Sequence, residues 1–164
     1  PSAWKNFGWG VMIESDWDTS NEKYDYIIFV DGNGEEIVLA ENSSGSSSFS
    51  SDSPETELST YGAVFAASGD SSAEYAGWEA ASSDVCGGSS SAVDYYVDWY
   101  IPWADLSSAT GASDPDELGF VFGTSASSKK FSKDTAPCDN SGSCGDWLDF
   151  VSDADSDCDV LTND

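Results

Sequence analysis

The chain has 164 residues, with 31 acidic and 5 basic side chains and a net charge of −26, and all of the basic residues are Lys. So acidic a chain lacks the basic patch that binding to DNA, RNA or an anionic membrane surface requires. Its lack of His excludes Ser-His-Asp catalysis, His-ligated zinc and His-ligated haem. The length predicts a single domain over residues 1–164, and a hydrophobic content of 39% is enough to form a core.

In the first third of the chain, apolar residues recur with the two-residue period of β-strands. Residues 7–14 alternate, and residues 24–30 are apolar on both faces, which is typical of a central strand. Residues 31–34 predict a hairpin turn, after which residues 35–40 return as the partner strand. One face of the first strand is expected to be buried; it carries Phe7, Trp9, Val11 and Ile13.

The rest of the sandwich is predicted from four later strands and one short helix. The strands are expected at residues 61–67, 73–81, 93–101 and 118–125. Pro102 ends the third of these and suits the first turn of a helix over residues 103–108. The Ser-rich segment 42–53 reads as a loop, and it opens with a sequon for N-glycosylation at Asn42.

Together these elements predict an all-β fold, an antiparallel β-sandwich of about seven or more strands. The spacing of the turns is jelly-roll-like or immunoglobulin-like, and the one short helix follows the strand that ends at Ile101. We expect residues 1–125 to form the sandwich core and residues 126–164 to form a disulfide-tied acidic loop region.

The four cysteines indicate the compartment. An even count without paired metal-ligand spacing favours two disulfides and an extracellular location, whereas free buried thiols in a cytosolic protein are the alternative. Three pairings are possible. We favour the short loop Cys138–Cys144, which leaves Cys86–Cys158 as the second bridge.

Four segments carry a resemblance to a known class. They are FGWGVMIESDWD (7–18), YDYIIFVDG (24–32), VDYYVDWYIPWADL (93–106) and LGFVFGTS (118–125). Together they resemble β-sandwich modules of secreted bacterial surface proteins, similar to family-9 carbohydrate-binding and DOMON-like domains. Such modules have one or two further strands before the segment that matches residues 4–9, so the resemblance implies a first strand that is cleaved or supplied by a neighbouring copy. We therefore expect an open edge on the 7–14 strand, which would support self-association into a polymer.

A run of oxygen-bearing side chains between the first two strands predicts a Ca²⁺ site. Because Ca²⁺ takes six to eight oxygen ligands, alternating carboxylates in one loop are suited to it. A solvated acidic loop is the alternative. The candidate ligands are Asp16, Asp18, Ser20, Glu22 and Asp25. A weaker second set is Asp153, Asp155, Asp157 and Asp159.

The aromatic residues suggest a second kind of site, because sugars stack on exposed rings. Trp17, Tyr96 and Tyr100 are the outward candidates, while Trp9, Trp99 and Trp103 are expected in the core. Packing of all these rings within the fold is the alternative. Met12 is the only Met and there is no His, so we expect neither haem nor a nucleotide cofactor.

The sequence thus favours a non-enzymatic extracellular structural module, a subunit of a surface filament, appendage or matrix stabilised by disulfides and Ca²⁺. We expect no membrane insertion, because no stretch approaches the apolar length of a span. The alternative is a non-catalytic carbohydrate-binding module of a secreted protein. With 31 carboxylates, nearby acidic pairs carry no information about glycosidase chemistry.

Overall fold

The computed structural model describes residues 8–17, 24–31, 34–45, 52–62, 66–67, 75–80, 95–125, 135–136 and 148–149. Within these ranges the fold is built almost entirely of strands with one short helix, which confirms the all-β prediction. The strands are β1 Gly8–Glu14, β2 Tyr26–Asp31, β3 Glu36–Glu41, β4 Thr56–Gly62, β5 Ala66–Ala67, β6 Ala76–Ala80, β7 Tyr95–Trp99, β8 Gly119–Ser125, β9 Thr135–Ala136 and β10 Leu148–Asp149. The helix α1 spans Trp103–Thr110, and a 3₁₀ turn follows at Pro115–Glu117.

The larger sheet is antiparallel and has the order β10-β8-β1-β2-β3-β4, with β9 also paired to β8. Strand β1 lies inside it, because Ile13 pairs with Tyr26 of β2 on one side and with Phe120 of β8 on the other. The expectation of an open edge on this strand is therefore wrong. Strand β8, far away in sequence, provides the second partner, so no donated strand is needed at β1.

The middle of the larger sheet is buried on both faces, since two hydrophobic clusters alternate along its central strands. The continuous apolar run of β2 fits this position, and its predicted central place is confirmed by its pairing with β1 and β3. The first cluster includes Val11, Ile13, Ile28, Val30, Ile37, Leu39 and Leu118. The second cluster consists of Met12, Tyr24, Ile27, Phe29, Val38, Ala40 and Val121.

A smaller sheet, of order β5-β6-β7, and the helix contribute to the first cluster. Strands β5 and β6 are parallel, and β6 and β7 are antiparallel. Ala76 of the smaller sheet and Leu106 of α1 are buried in the same cluster as β1 and β2. The core therefore joins the helix and both sheets.

Helix α1 follows the predicted 103–108 segment closely and ends two residues later. Pro102 lies at its N-cap with φ −61°, as expected of a residue that precedes the first helical turn. Gly111 ends the helix in the left-handed conformation, φ 77°, and its N–H donates to the carbonyl of Ser107.

Several predictions of position need correction. The strand predicted at residues 61–67 is replaced by β4 Thr56–Gly62 and the short β5 Ala66–Ala67, and the one at 73–81 shortens to β6 Ala76–Ala80. Trp9, expected in the core, is 44% exposed, and Trp103 is exposed as well. Of the segment 126–164, the structure describes only the two-residue strands β9 and β10, which pair with β8, so the predicted loop region otherwise lies outside the described residues.

Candidate metal site

The candidate site lies where β1, β2 and β3 end side by side. Extending the register beyond the pairs Ile13–Tyr26 and Tyr26–Glu41 places Glu14, Asp25 and Asn42 abreast. Two backbone hydrogen bonds fix this arrangement: the N–H of Asp25 donates to the carbonyl of Ile13 at 2.9 Å, and that of Asn42 donates to the carbonyl of Asp25 at 2.7 Å. Facing residues of antiparallel strands project on the same side of a sheet, so these three polar side chains form a row.

Three carboxylates converge at this row. One oxygen each of Glu14, Asp16 and Asp25 lies within 4.8 Å of the others. Glu14 is fully buried and Asp25 is buried, whereas Asp16 is exposed at the mouth of the site. The three carboxylates therefore extend from the solvent, at Asp16, to the end of the second hydrophobic cluster, at Glu14.

The hydrogen bonds of the three carboxylates are unequal. Asp25 Oδ2 accepts bonds from the N–H of Ser15 at 2.8 Å and from its Oγ at 2.6 Å. Glu14 Oε1 accepts a longer bond, 3.3 Å, from the N–H of Asp16. Glu14 Oε2 is buried and has no hydrogen-bond partner in the described part of the chain. A buried oxygen without a hydrogen-bond partner is costly, and a cation bound to this atom would remove that cost.

The electrostatics of Glu14 reflect this burial. Desolvation, followed by the negative charge of Asp25, raises the pKa of Glu14 to about 8. At neutral pH the isolated protein must therefore either protonate this carboxyl or carry a poorly compensated buried charge. A bound cation removes that penalty, because its own charge favours the ionised form.

An open pocket of about 440 Å³ adjoins the cluster. Asn42, which lines this pocket, is only 2% exposed. Its Nδ2 donates to the carbonyl of Tyr24 at 2.7 Å and to Asp52 Oδ2 at 3.2 Å. The predicted glycosylation of Asn42 does not fit this environment, since a glycan replaces one Nδ2 hydrogen and so breaks at least one of these bonds, and it also needs solvent access. The pocket is lined by Ser15, Asp16, Asp25, Tyr26, Glu41, Asn42 and Ser43.

Of the five predicted Ca²⁺ ligands, the structure brings two together. Asp16 and Asp25 belong to the cluster. The other three lie outside the described residues: Asp18, Ser20 and Glu22. The same holds for the second acidic set at residues 153–159 and for all four cysteines, so the predicted disulfides stay predictions.

Sequence reasoning missed Glu14 and Asn42. Glu14 was counted only as the polar end of an alternating strand, although it stands two residues before Asp16 and so shares its spacing pattern. Asn42 was noticed for its sequon. Only the pairing of β3 with β2 shows that it faces Asp25.

The predicted sugar-stacking residues lie elsewhere. Trp17 is 50% exposed, adopts φ 61°, and donates from Nε1 to the carbonyl of Glu117 at 3.1 Å. Tyr100 is 59% exposed, and its ring centroid lies 5.2 Å from that of Tyr75. Tyr96 belongs to β7, but its side chain is outside the described part.

Comparisons of the chain with protein families, with curated proteins and with solved structures find no match. Among the described residues, no helix has the length and apolar character needed to cross a bilayer.

Proposed function

We propose that this chain is an extracellular structural module whose β-fold is stabilised by one Ca²⁺ ion held by Glu14, Asp16 and Asp25. The observation that carries the proposal is the buried Oε2 of Glu14, which has no hydrogen-bond partner among the described residues and lies beside two further carboxylates. A fold that places an ionisable oxygen there without a partner gains stability when a cation occupies the site.

The chemistry of the ligands favours Ca²⁺. All three candidate ligands are carboxylates, and hard oxygen donors suit Ca²⁺ or Mg²⁺ rather than zinc, which prefers nitrogen and sulfur. The adjoining pocket leaves room for the water molecules that complete a coordination of six to eight. Because Glu14 lies on β1 and Asp25 immediately precedes β2, a shared ion cross-links two neighbouring strands.

The structural role follows from the rest of the chain. The hydrophobic cluster shared by both sheets and α1 supports a sandwich in which the smaller sheet and the helix cover one face of the larger sheet. The chain also lacks the His on which common catalytic mechanisms depend. In this proposal the module associates with copies of itself in a filament, appendage or matrix, and bound Ca²⁺ reduces the repulsion between subunits of net charge −26. Such contacts must use a surface other than the paired strand β1.

The test is the melting temperature of the full chain in excess Ca²⁺ and in EDTA, at constant ionic strength, with Mg²⁺ as a second comparison. A ligand that binds only the folded state raises the melting temperature by mass action, so Ca²⁺ should shift it upward. Asp25→Asn should remove the shift, whereas Asp116→Asn, at an exposed carboxylate outside the site, should retain it. Equal melting temperatures of the native chain in Ca²⁺ and EDTA would contradict the proposal. Sedimentation velocity in the same two buffers tests whether Ca²⁺ promotes association.

A second candidate function is carbohydrate binding, which the exposure of Trp17 and Tyr100 favours. The rings of Tyr100 and Tyr75 are tilted by 38° to each other, and a sugar would stack on the exposed part of the Tyr100 ring. Affinity electrophoresis in soluble polysaccharides tests it. If a polysaccharide slows the migration of the native chain, Tyr100→Ala should abolish this effect. Phe122→Ala, which removes an exposed ring on β8, should not. Migration of the native chain that no polysaccharide alters would count against this function.

A further inference from the structure

The side-chain amide of Asn42 is held in one orientation. Its Nδ2 donates to the carbonyl of Tyr24 at 2.7 Å and to Asp52 Oδ2 at 3.2 Å, and Asn42 and Asp52 are both buried. Exchanging the nitrogen and oxygen of this amide would set Oδ1 against two acceptors. The two bonds therefore fix which way the amide oxygen points.

Asn42 Oδ1 is itself buried and has no hydrogen-bond partner among the described residues. A buried amide oxygen left unsatisfied costs about 1–3 kcal/mol, so a partner beyond these residues, such as a bound ion, is expected. Asn42 lines the same pocket as Asp16 and Asp25, and its backbone N–H bonds directly to Asp25.

We infer that Asn42 Oδ1 is a fourth protein ligand of the cation held by Glu14, Asp16 and Asp25. This inference rests on the proposed Ca²⁺ site and deepens it. Amide oxygens are regular Ca²⁺ ligands, and the fourth ligand adds none of the repulsion that a fourth carboxylate would bring. The ligand set then spans three adjacent strand ends, with Glu14 on β1, Asp25 before β2 and Asn42 after β3.

This inference rests on two buried oxygens at neighbouring strand ends, each without a hydrogen-bond partner among the described residues. Glu14 Oε2 and Asn42 Oδ1 flank Asp25, whose own Oδ2 is satisfied by Ser15. One ion explains both, whereas hydrogen bonding to the described residues explains neither. Asp52 then acts as a positioning residue, because it orients the amide without reaching the ion.

The experiment is a calorimetric Ca²⁺ titration of the full chain and its variants, below the melting temperature of each. Asn42→Ala should weaken Ca²⁺ binding by about 10-fold or more, the lower range of what lost coordination support costs in metal sites. Asn42→Asp also loses the bonds donated to Tyr24 and Asp52, yet it retains an oxygen at the ligand position and should bind Ca²⁺ more tightly than Asn42→Ala. Ser44→Ala is the neighbouring control, since its hydroxyl bonds to Glu55 and should leave the affinity unchanged.

A second readout counts the water molecules on the ion. Tb³⁺ serves as a luminescent substitute for Ca²⁺, and its lifetimes in H₂O and D₂O give the number of bound waters. Asn42→Ala should gain about one water relative to the native chain, because solvent replaces the lost amide oxygen.

The outcomes separate the inference from the proposed function. If the native chain binds Ca²⁺ and Glu14→Gln does not, but Asn42→Ala retains full affinity and the same hydration, Asn42 Oδ1 bonds only to water and this inference is overturned. Binding by Asn42→Asp that is no tighter than binding by Asn42→Ala, or by Asn42→Ser where Asn42→Ala fails to fold, would also overturn it. If the native chain binds no Ca²⁺ at all, the proposed function fails and this inference fails with it.

Discussion

Glu14 and Asp25 lie side by side on neighbouring strand ends, yet their carboxylates are in opposite hydrogen-bonding states. Asp25 Oδ2 accepts two bonds from Ser15, while Glu14 Oε2, in the more deeply buried of the two residues, accepts none from the described residues. The better-solvated carboxylate is the one that the protein stabilises. From the proposed cation site we therefore expect Glu14 to destabilise the fold without the cation and to stabilise it with the cation.

We therefore predict that the effect of Glu14→Gln on the free energy of unfolding changes sign when Ca²⁺ is added. In EDTA at pH 8 the variant should be more stable than the native chain by about 1–3 kcal/mol, because a buried ionisable group is replaced by a neutral one. In Ca²⁺ it should be less stable than the native chain, because the stabilisation by binding is lost. Urea unfolding in both buffers measures the two differences.

Asp116→Asn is the control for this prediction, since it removes the same charge at an exposed position outside the cluster. It should change the free energy of unfolding equally in both buffers. A Glu14→Gln variant that is less stable than the native chain in EDTA would show that the carboxylate is satisfied without an ion.

The site shows how far the sequence alone could lead. Alternating acidic residues after the first strand identified Asp16 and Asp25, because a local run of oxygens is visible in the sequence. Glu14 continues this alternation two residues earlier but was counted as part of the strand. Asn42 was missed because its role depends on register: it becomes part of the site only through pairing with the strand end at Asp25. Cross-strand neighbours are separated in sequence, and a single sequence contains no signal for them.

The fold shows the same division. The buried position of β2 was predictable from its uninterrupted apolar run, whereas the partners of β1 were not, since β8 lies more than a hundred positions later. The position of β4 was predicted wrongly because most of the strand is polar and exposed. Its only large apolar residue before Tyr61 is Leu58, so its sequence resembles the polar loop that precedes it. Tertiary pairing, not local propensity, sets its limits.

A hydrogen bond between β4 and α1 predicts the response to alkaline pH. Tyr61 donates its hydroxyl hydrogen to Asp105 Oδ2 at 2.7 Å, and burial, followed by this bond to a carboxylate, raises the pKa of Tyr61 to about 12 from 10.0. Because the folded-state pKa is the higher one, this contribution is complete below pH 10 and is lost as the pH rises toward 12.

Tyr61→Phe should accordingly be less stable than the native chain by about 1–3 kcal/mol at pH 8, since it lacks the bond to Asp105. The difference between the two should shrink as the pH rises above 10. Urea unfolding at pH 8, 10 and 11 measures it, and other buried tyrosines such as Tyr24, whose pKa is also raised by burial, affect both proteins alike. A difference that stays constant over this range would contradict the role of Tyr61 ionisation.

The C-terminal end of α1 predicts a backbone effect. Gly111 has φ 77°, and a Cβ at this position would meet no atom within 4 Å, so the cost of Gly111→Ala is conformational only. We expect a loss of about 1 kcal/mol in the free energy of unfolding. Gly62→Ala is the matched control, because the same open space surrounds a glycine without positive φ, and it should be neutral or slightly stabilising. Equal effects of the two substitutions in thermal unfolding would contradict the explanation.

The last prediction concerns Met12 and follows from burial of the middle of the larger sheet on both faces. Met12 is fully buried in the second hydrophobic cluster, although its neighbours Val11 and Ile13 belong to the first. In a sheet with one solvated face, Met12→Ala would cost little. Here it should remove about 2–5 kcal/mol from the free energy of unfolding, because it deletes a fully buried side chain and leaves a cavity. Leu58→Ala, at an exposed residue of β4, should change the same quantity by less than about 0.5 kcal/mol. Chemical denaturation of the native chain and the two variants measures these free energies of unfolding. A Met12→Ala effect as small as that of Leu58→Ala would mean that the second face is open to solvent.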